Sequence, residues 1–297
     1  MKRKIIKDGV EKFLIVFNGI IMAIYCISLL IPIVWMLSSS LKSEIDYALS
    51  SFRLPKELEW SNYVKVFDYL HVPVPTSRGT VIYDFLSLAA FSLIRSTCIP
   101  LLVTFVQACC AYVLAKYKFV GNQFIYVLGI FVMITPIVGN LPSAMAVNKA
   151  LGVYNNLFLN ILTAPSNIFG LNFLILYAAF KGIPWEYAEA AFIDGAGHYT
   201  IMLRIMLPMV LPTCAVLFVL SFLGIWNDYT ASLIWLPSYP NLAFGLYMFQ
   251  QGATAGSEGA PAPVILAGFA VVMIPTIILY LVSQKLILAK FNVGGLK

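Results

Sequence analysis

Apolar residues in this chain gather into six long runs, at about 13–37, 93–115, 123–145, 158–180, 208–232 and 263–285. Each approaches or exceeds the roughly 20 residues that an α-helix, rising about 1.5 Å per residue, needs to cross about 30 Å of hydrocarbon. Inside the runs the apolar positions cover most faces of a helix. Periodicity therefore says little, and length together with the absence of charge predicts six membrane-spanning helices. Pro32, Pro100, Pro136, Pro165 and Pro275 fall within these runs. Proline is tolerated in spanning helices better than in soluble ones. The longest polar interval contains "RLPKELEWSNYVKVFDYLHVPVPTSRGT". Its first part predicts a short amphipathic helix after a Pro-marked turn, and its Pro-, Ser- and Gly-rich part an irregular stretch.

Composition agrees with the runs. Of 297 residues, 61% are hydrophobic and 11% charged, and the mean hydropathy is +0.88. Soluble domains carry about 25% charged residues, so too little polar material is present to coat a water-soluble globule. The net charge of +6 does not point to nucleic acid, because the basic residues form no patch with interleaved aromatics. It suits anchoring in an anionic bilayer, with lipid as a partner. Cys26, Cys98, Cys109, Cys110 and Cys214 all lie in hydrophobic stretches and form no metal-ligand or redox spacing. The N-terminal "MKRKIIKDGVEK" ahead of an apolar run imitates a signal peptide. The charge-free stretch that follows is too long for one and lacks a small-residue cleavage site, which predicts a retained first span.

Lysine and arginine set the orientation. If the spans alternate, twelve of the nineteen basic residues fall on one side: five before the first span, two after the second, two between the fourth and fifth, and three after the sixth. Both termini are therefore expected in the cytoplasm. The chain divides into a cytoplasmic N-terminus at 1–12, a first helix at 13–37 and a long extracytoplasmic loop at 38–92. A five-helix core at 93–285 follows, with a cytoplasmic loop at 181–207, and a cytoplasmic tail occupies 286–297.

That cytoplasmic loop is unusually polar for its setting, and with the start of the next span it reads "EYAEAAFIDGAGHYTIMLRIMLP" over 186–208. Pro184 is preorganised to start a helix, and residues 184–194 then make about three turns. Glu186, Glu189, Ala190 and Ile193 share one side, and Ala188, Ala191 and Phe192 an adjoining small apolar side. Asp194 precedes Gly195, which stands where a helix ends in a left-handed residue without Cβ. A second helix can begin after Gly197 and run through Met202, Ile205 and Met206 to Leu207 and Pro208, where the next span starts. The product is helix, tight turn, helix. Apolar residues such as Phe192 and Met202 would be unfavourable against water but suit a socket. As ordinary connecting-loop residues, Glu186 and Glu189 would simply be solvated.

The spaced pattern E-A-A, three residues, G, nine residues, I, one residue, L-P is filled by Glu189-Ala190-Ala191, Gly195, Ile205 and Leu207-Pro208. It resembles the EAA loop of permease subunits of bacterial ABC importers. "AYVLAKYKFVGN", "FLGIWNDY" and "LILAKFNVGGLK" are similar, in the right order, to segments of the carbohydrate-type permeases related to the smaller maltose-transporter membrane subunit. Gly197 stands in place of the commoner Ser, Arg95 in place of Asn, and the loop around 72–92 is longer than usual. The resemblance implies a type I ABC importer permease fold in a bacterial cytoplasmic membrane. It implies that the loop is a coupling helix docked in a cleft of a separate ATPase subunit, with Glu189 paired to a basic residue there. The partners it implies are a second permease in a heterodimer, two ATPase subunits and an extracytoplasmic solute-binding protein. ATP and magnesium would then be bound by the ATPase subunits. No cofactor is expected in this chain, which has no phosphate-cradling G-x-x-x-x-G-K-[S/T] and no H-E-x-x-H or G-x-S-x-G element. His71 and His198 are isolated in sequence.

Polar residues inside spans are costly and become functional candidates. Asn140, Gln107, Asn160, Asn172, Asn227 and Asp228 qualify, and Asn and Gln among them equally suit interhelical hydrogen bonds. Trp226, Asn227, Asp228 and Tyr229 fit an interfacial aromatic belt with a wet carboxylate. They fit as well a wall of a sugar path, with aromatics stacking and polar groups bonding hydroxyls, and Asn140 joins that candidate set. The loop "MFQQGATAGSEGAPAP" is a glycine-rich connector on residue grounds. In related permeases such a loop reaches the binding protein, which would place Gln250, Gln251, Gly252 and Gly256 at that contact. The terminal "NVGGLK" is either a frayed tail or, as in relatives, a segment reaching the ATPases. An importer for a non-sugar solute, a stand-alone secondary carrier and a scaffold are the rival functions. The secondary carrier leaves the Glu189–Gly195–Pro208 spacing unexplained.

Overall fold

The structure, a computed structural model, describes residues 9–76, 79–135, 139–252 and 260–291. Expectations placed on residues 1–8, Pro136, Gly256 and 292–297 fall outside them.

Helix α1 (Gly9–Ser40) is 32 residues long, about 48 Å at the helical rise. Nearly all its apolar side chains are exposed, as befits a helix surrounded by hydrocarbon. Its end is tied down by polar groups. Lys42 Nζ donates to the Ser50 and Ser51 carbonyls at 2.9 and 3.0 Å, and Asn62 Nδ2 donates to the Ser40 and Lys42 carbonyls. The buried Lys42 ammonium thus has partners, which a buried charge requires. Two short helices follow, α2 (Glu44–Leu49) and the expected amphipathic α3 (Ser61–Tyr69).

The stretch expected to be irregular is instead a hairpin. Strand β1 (Val72–Thr76) pairs antiparallel with β2 (Gly79–Tyr83), Val72 facing Tyr83 and Val74 facing Val81. Alternation explains it: Val72 and Val74 turn into a core with Val66, Leu70 and Leu88. Pro73 and Pro75 alternate with them in a two-stranded ribbon, the edge setting that tolerates proline. The chain is therefore mostly helical but not wholly so.

Helix α4 (Phe85–Lys116) is capped by Asp84, whose Oδ1 accepts from Ser87 Oγ at 2.6 Å and Ser87 N at 3.1 Å. These bonds to the Ser87 hydroxyl and amide hold the exposed Asp84 carboxyl below the usual carboxylate range. Helix α4 begins eight residues before the expected start of the second span and packs against α8 (Leu171–Lys181) and α11 (Leu207–Trp226). The last span, α13 (Ala262–Phe291), lies against α1, α3 and α11.

Among the described residues four helices are long and apolar enough to span: Lys12–Ser40, Phe85–Lys116, His198–Trp226 and Ala262–Gln284. The two remaining runs are broken. The run at 123–145 becomes α5 (Asn122–Ile134) and α6 (Leu141–Ala150). Gly139 between them is at φ +73°, and 13 residues of α5 reach only about 20 Å. The run at 158–180 becomes α7 (Leu157–Thr163), a 3-10 turn at Ala164–Ser166, and α8, bent by 55°. Pro165 and the fully extended Gly170 (φ −173°) interrupt the helical ladder there. Gln107 Nε2 donates to the Ile168 carbonyl in the gap at 3.1 Å, and Phe169 packs on Gly129 so closely that a Cβ there would lie 2.3 Å from its ring. Backbone freed by a break at membrane depth has to be satisfied by such neighbours.

Candidate functional site

Two apolar cores occupy opposite ends of α4 and α11. One, at the N-terminal end of α4, gathers the hairpin, Trp226, Leu246 and Phe249. The other, at its C-terminal end, gathers Tyr112, Phe180, Ala188, Ala191, Ile201 and Met206. A candidate site sits at each end.

The polar loop lies over the second core. Helix α9 (Glu186–Ile193) follows Trp185, two residues later than Pro184 suggested. Its end is a Schellman turn: Ala196 N donates to the Ala191 carbonyl at 2.9 Å and Gly195 N to the Phe192 carbonyl at 3.0 Å. Gly195 is at φ +80°, and a Cβ there would meet nothing within 4 Å. Backbone conformation, and not crowding, demands glycine. Helix α10 (His198–Ile201) then runs through a π-helical turn, Met202–Met206, straight into α11. No boundary separates it from the span expected to start at Pro208. Pro208 has no N–H for the carbonyl four residues back, and the wider turn, with Leu207 N on the Met202 carbonyl, absorbs that loss.

The small apolar side of α9 is turned inward. Ala188 is fully buried and Ala191 is 7% exposed. Ala191 therefore serves the chain's own packing, a correction to its expected place on a docking surface. Ile205 and Leu207 are partly buried against the same core. Glu186, Glu189, Ala190, Phe192, Asp194, Gly195 and Pro208 are exposed. So are Ile193 (87% exposed), expected on the Glu186 side, and two residues absent from the expected set, Tyr187 and Tyr199 (81%). Large apolar side chains among charges were the signal for them.

An aromatic chain also missed by sequence reasoning ties this loop to α4. Tyr112 and Tyr117 hydroxyls are 3.2 Å apart, and Tyr117 OH meets His198 Nδ1 at 2.9 Å. The Tyr117 ring packs on Trp185, Trp185 on Phe192, and Phe192 on His198. Lys116 Nζ donates to the Ile183 carbonyl. His198, isolated in sequence, is not isolated in space.

At the other end, a cleft of about 300 Å³ opens between α11, α12 (Leu242–Gln250) and α13. Three expected residues, Asn227, Tyr229 and Gln250, line it together with Tyr247, Phe269 and Thr276. Tyr229 and Tyr247 stack with centroids 4.7 Å apart. Trp226 only floors the cleft. It is 2% exposed, stacks on Phe222 and donates its Nε1–H to the Val272 carbonyl at 3.2 Å.

Asp228 is paired and not simply wet: its Oδ2 lies 3.5 Å from Arg95 Nη2 on α4. Asn140 stands apart, exposed at the start of α6, with its carbonyl accepting from Ser143 and Ala144. Gln251 and Gly252 close α12, Gly252 at φ +66°. Asn172 Nδ2 reaches Ser221 Oγ across α8 and α11 at 3.4 Å, and with Gln107 it serves interhelical bonding.

Residues 10–293 match the family described as binding-protein-dependent transport system inner membrane component. The chain belongs to that family. Membership makes it a multi-pass membrane component of a transport system and not an enzyme. Among curated relatives, it is 26% identical over 285 residues to the diacetylchitobiose uptake system permease protein NgcG of Streptomyces coelicolor, covering 92% of this chain and 86% of that one. It is 27% identical over 296 residues to the probable starch degradation products transport system permease protein AmyC of Thermoanaerobacterium thermosulfurigenes, covering 98% and 99%. A crystallised bacterial ABC transporter involved in import of the acidic polysaccharide alginate has a chain of the same fold. Its TM-score is 0.76 at 21% identity, covering 95% of this chain and 99% of that one.

Proposed function

We propose that the chain is one half of the membrane path of an ATP-driven importer for a sugar or oligosaccharide, in a bacterial cytoplasmic membrane. Its partners are a second, similar permease, two ATPase subunits that bind ATP and magnesium, and an extracytoplasmic binding protein. The two broken runs each count as one crossing, which gives six and leaves both termini in the cytoplasm.

The observation that carries this reading is the build of the 186–206 loop. Its inner face is wedged into the chain's own core, and Glu186, Glu189, Phe192 and Ile193 face outward from a helix closed by a left-handed glycine. That is the form of a ball for another protein's socket. In the proposed cycle, ATP binding draws the ATPases together and carries the loop with them. The aromatic chain from Phe192 through Tyr117 passes the shift to α4, and the path turns from inward-open to outward-open. Hydrolysis resets it, so two distant sites bias one two-state element. The stacked tyrosines with Asn227 and Gln250 are chemically suited to a saccharide, rings against apolar faces and amides to hydroxyls. Several relatives carry saccharide names. Gln250, Gln251, Gly252 and Gly256 are assigned to the binding-protein contact.

Gentle co-purification from host membranes tests the reading. An ATPase subunit is expected to come with the wild-type chain, and a Gly195→Val variant is expected to insert but to lose most of it. Left-handed backbone costs an L residue about 1–2 kcal/mol, and more with a β-branch. Absence of an ATPase from the wild-type preparation would sink the importer reading. Retention by Gly195→Val would sink the role of the turn. Binding assays on the co-purified binding protein separate a sugar from another solute.

A further inference from the structure

Helix α4 grips the segment that carries the aromatic cleft at two points. Ser92 and Arg95 are three residues apart and share one face of the helix. The buried Ser92 hydroxyl accepts the N–H of Leu242, the first residue of α12, at 2.7 Å. Arg95 Nη2 reaches Asp228 Oδ2 at 3.5 Å, just past the end of α11. Between these grips the chain is knotted on itself. Asn241 donates its Nδ2–H to the Asp228 carbonyl at 2.8 Å and its N–H to Ser232 Oγ at 3.0 Å. Asp228 Oδ1 accepts from Ala231 N at 3.2 Å. Two of the three walls of the cleft hang from this knot, the third being α13: Tyr229 follows Asp228 directly, and Tyr247 and Gln250 ride on the helix that Asn241 caps.

Arg95 is poorly served where it lies. Its side chain is 12% exposed, and its Nε and Nη1 are buried without a hydrogen-bond partner among the described residues. A half-buried ion pair at 3.5 Å, with Asp228 32% exposed, is weak ground for stability, since Arg95 still bears a desolvation cost that a well-packed apolar residue avoids. Unsatisfied buried donors in a folded chain call for another explanation. Geometry supplies one, because the pair spans 133 residues and lies at the root of the cleft.

We propose that Arg95 is a positioning residue for the transport path. With Ser92 it fixes the 228–242 segment on α4, and so sets the Tyr229–Tyr247 spacing against which a solute ring enters. This rests on the reading of the cleft as part of that path.

The test uses the assembled transport complex in proteoliposomes, with radiolabelled neutral disaccharides and trisaccharides presented by its binding protein. Arg95→Gln is expected to lower uptake about tenfold, the scale of one charge-assisted hydrogen bond. Binding-protein-stimulated ATP hydrolysis is expected to stay near the wild-type rate. The reversed pair, Arg95→Asp with Asp228→Arg, is expected to recover a large part of the uptake lost by Arg95→Asp alone. Hydrogen-exchange mass spectrometry on the same samples is expected to show faster exchange over 228–242 in Arg95→Gln and none of that change over 186–206. Wild-type uptake and exchange in Arg95→Gln overturn the proposal. So does a reversed pair no better than Arg95→Asp. ATP hydrolysis lost in step with uptake, with exchange raised throughout the chain, reduces Arg95 to a structural role and also overturns it. If the wild-type complex carries none of the sugars, the sugar reading fails instead, and exchange over 228–242 still decides the positioning role.

Discussion

Ala190 and Ala191 are neighbours in the chain with opposite surroundings, the first exposed and the second buried against the core around Tyr112 and Phe180. Substitution separates their work. Ala191→Leu forces extra carbons into a filled space, at a typical cost of about 1–3 kcal/mol, and is expected to lower the melting midpoint of the detergent-solubilised chain. Ala190→Leu is expected to leave that midpoint unchanged while reducing co-purified ATPase. Tryptophan fluorescence melting and a pull-down read the two effects. Equal melting losses would mean that the faces of α9 are wrongly assigned. The need for glycine at 195 was legible in the sequence, because helix termination is a local matter settled within six residues. Which alanine faces inward was not, because that depends on where α4 and α8 end.

At the scale of elements, the broken runs are the departure that matters. Hydropathy averages over a window and does not register that Pro165 and Gly170 interrupt a ladder of hydrogen bonds. The bend between α7 and α8 survives because residues distant in sequence attend to it, Gln107 by bonding the Ile168 carbonyl and Gly129 by admitting the Phe169 ring. Gln107→Leu removes the donor and leaves that carbonyl unsatisfied, at a cost of about 1–3 kcal/mol. The expected result is a lower unfolding midpoint in a denaturing-detergent titration, with faster hydrogen exchange over 164–171. Unchanged exchange there would remove Gln107 from the support of the bend. The hairpin failed to register for a related reason: two prolines in five residues read as irregular, and only packing of Val72 and Val74 against Leu70 and Leu88 selects the strand.

Across the whole molecule, two ends of one helix pair carry two kinds of work. Trp226 and Tyr229 lie close together in the chain, yet they test different things. Trp226→Ala empties a buried site and removes the bond to the Val272 carbonyl, and aromatic deletions in cores cost about 3–5 kcal/mol. Poor insertion or yield is the expected outcome. Tyr229, 38% exposed and stacked on Tyr247, is expected to tolerate Ala in assembly and in stimulated ATP hydrolysis while solute uptake falls severalfold. Measuring complex yield, hydrolysis and uptake side by side in proteoliposomes checks both. Uptake at the wild-type level in Tyr229→Ala would remove the cleft from the path.

The sequence by itself determined the membrane class, the regions of the apolar runs, the helix–turn–helix at 186–206 and the family resemblance. These follow from composition, from run length against bilayer thickness and from local backbone chemistry. Only the tertiary structure decided that two of those runs are broken, that Trp226 is buried beneath the cleft, and that Tyr117 and His198 join the loop to α4. It alone paired Arg95 with Asp228. Each of these depends on residues far apart in the chain meeting where helices cross, and no local pattern of apolar and polar positions encodes which crossings form.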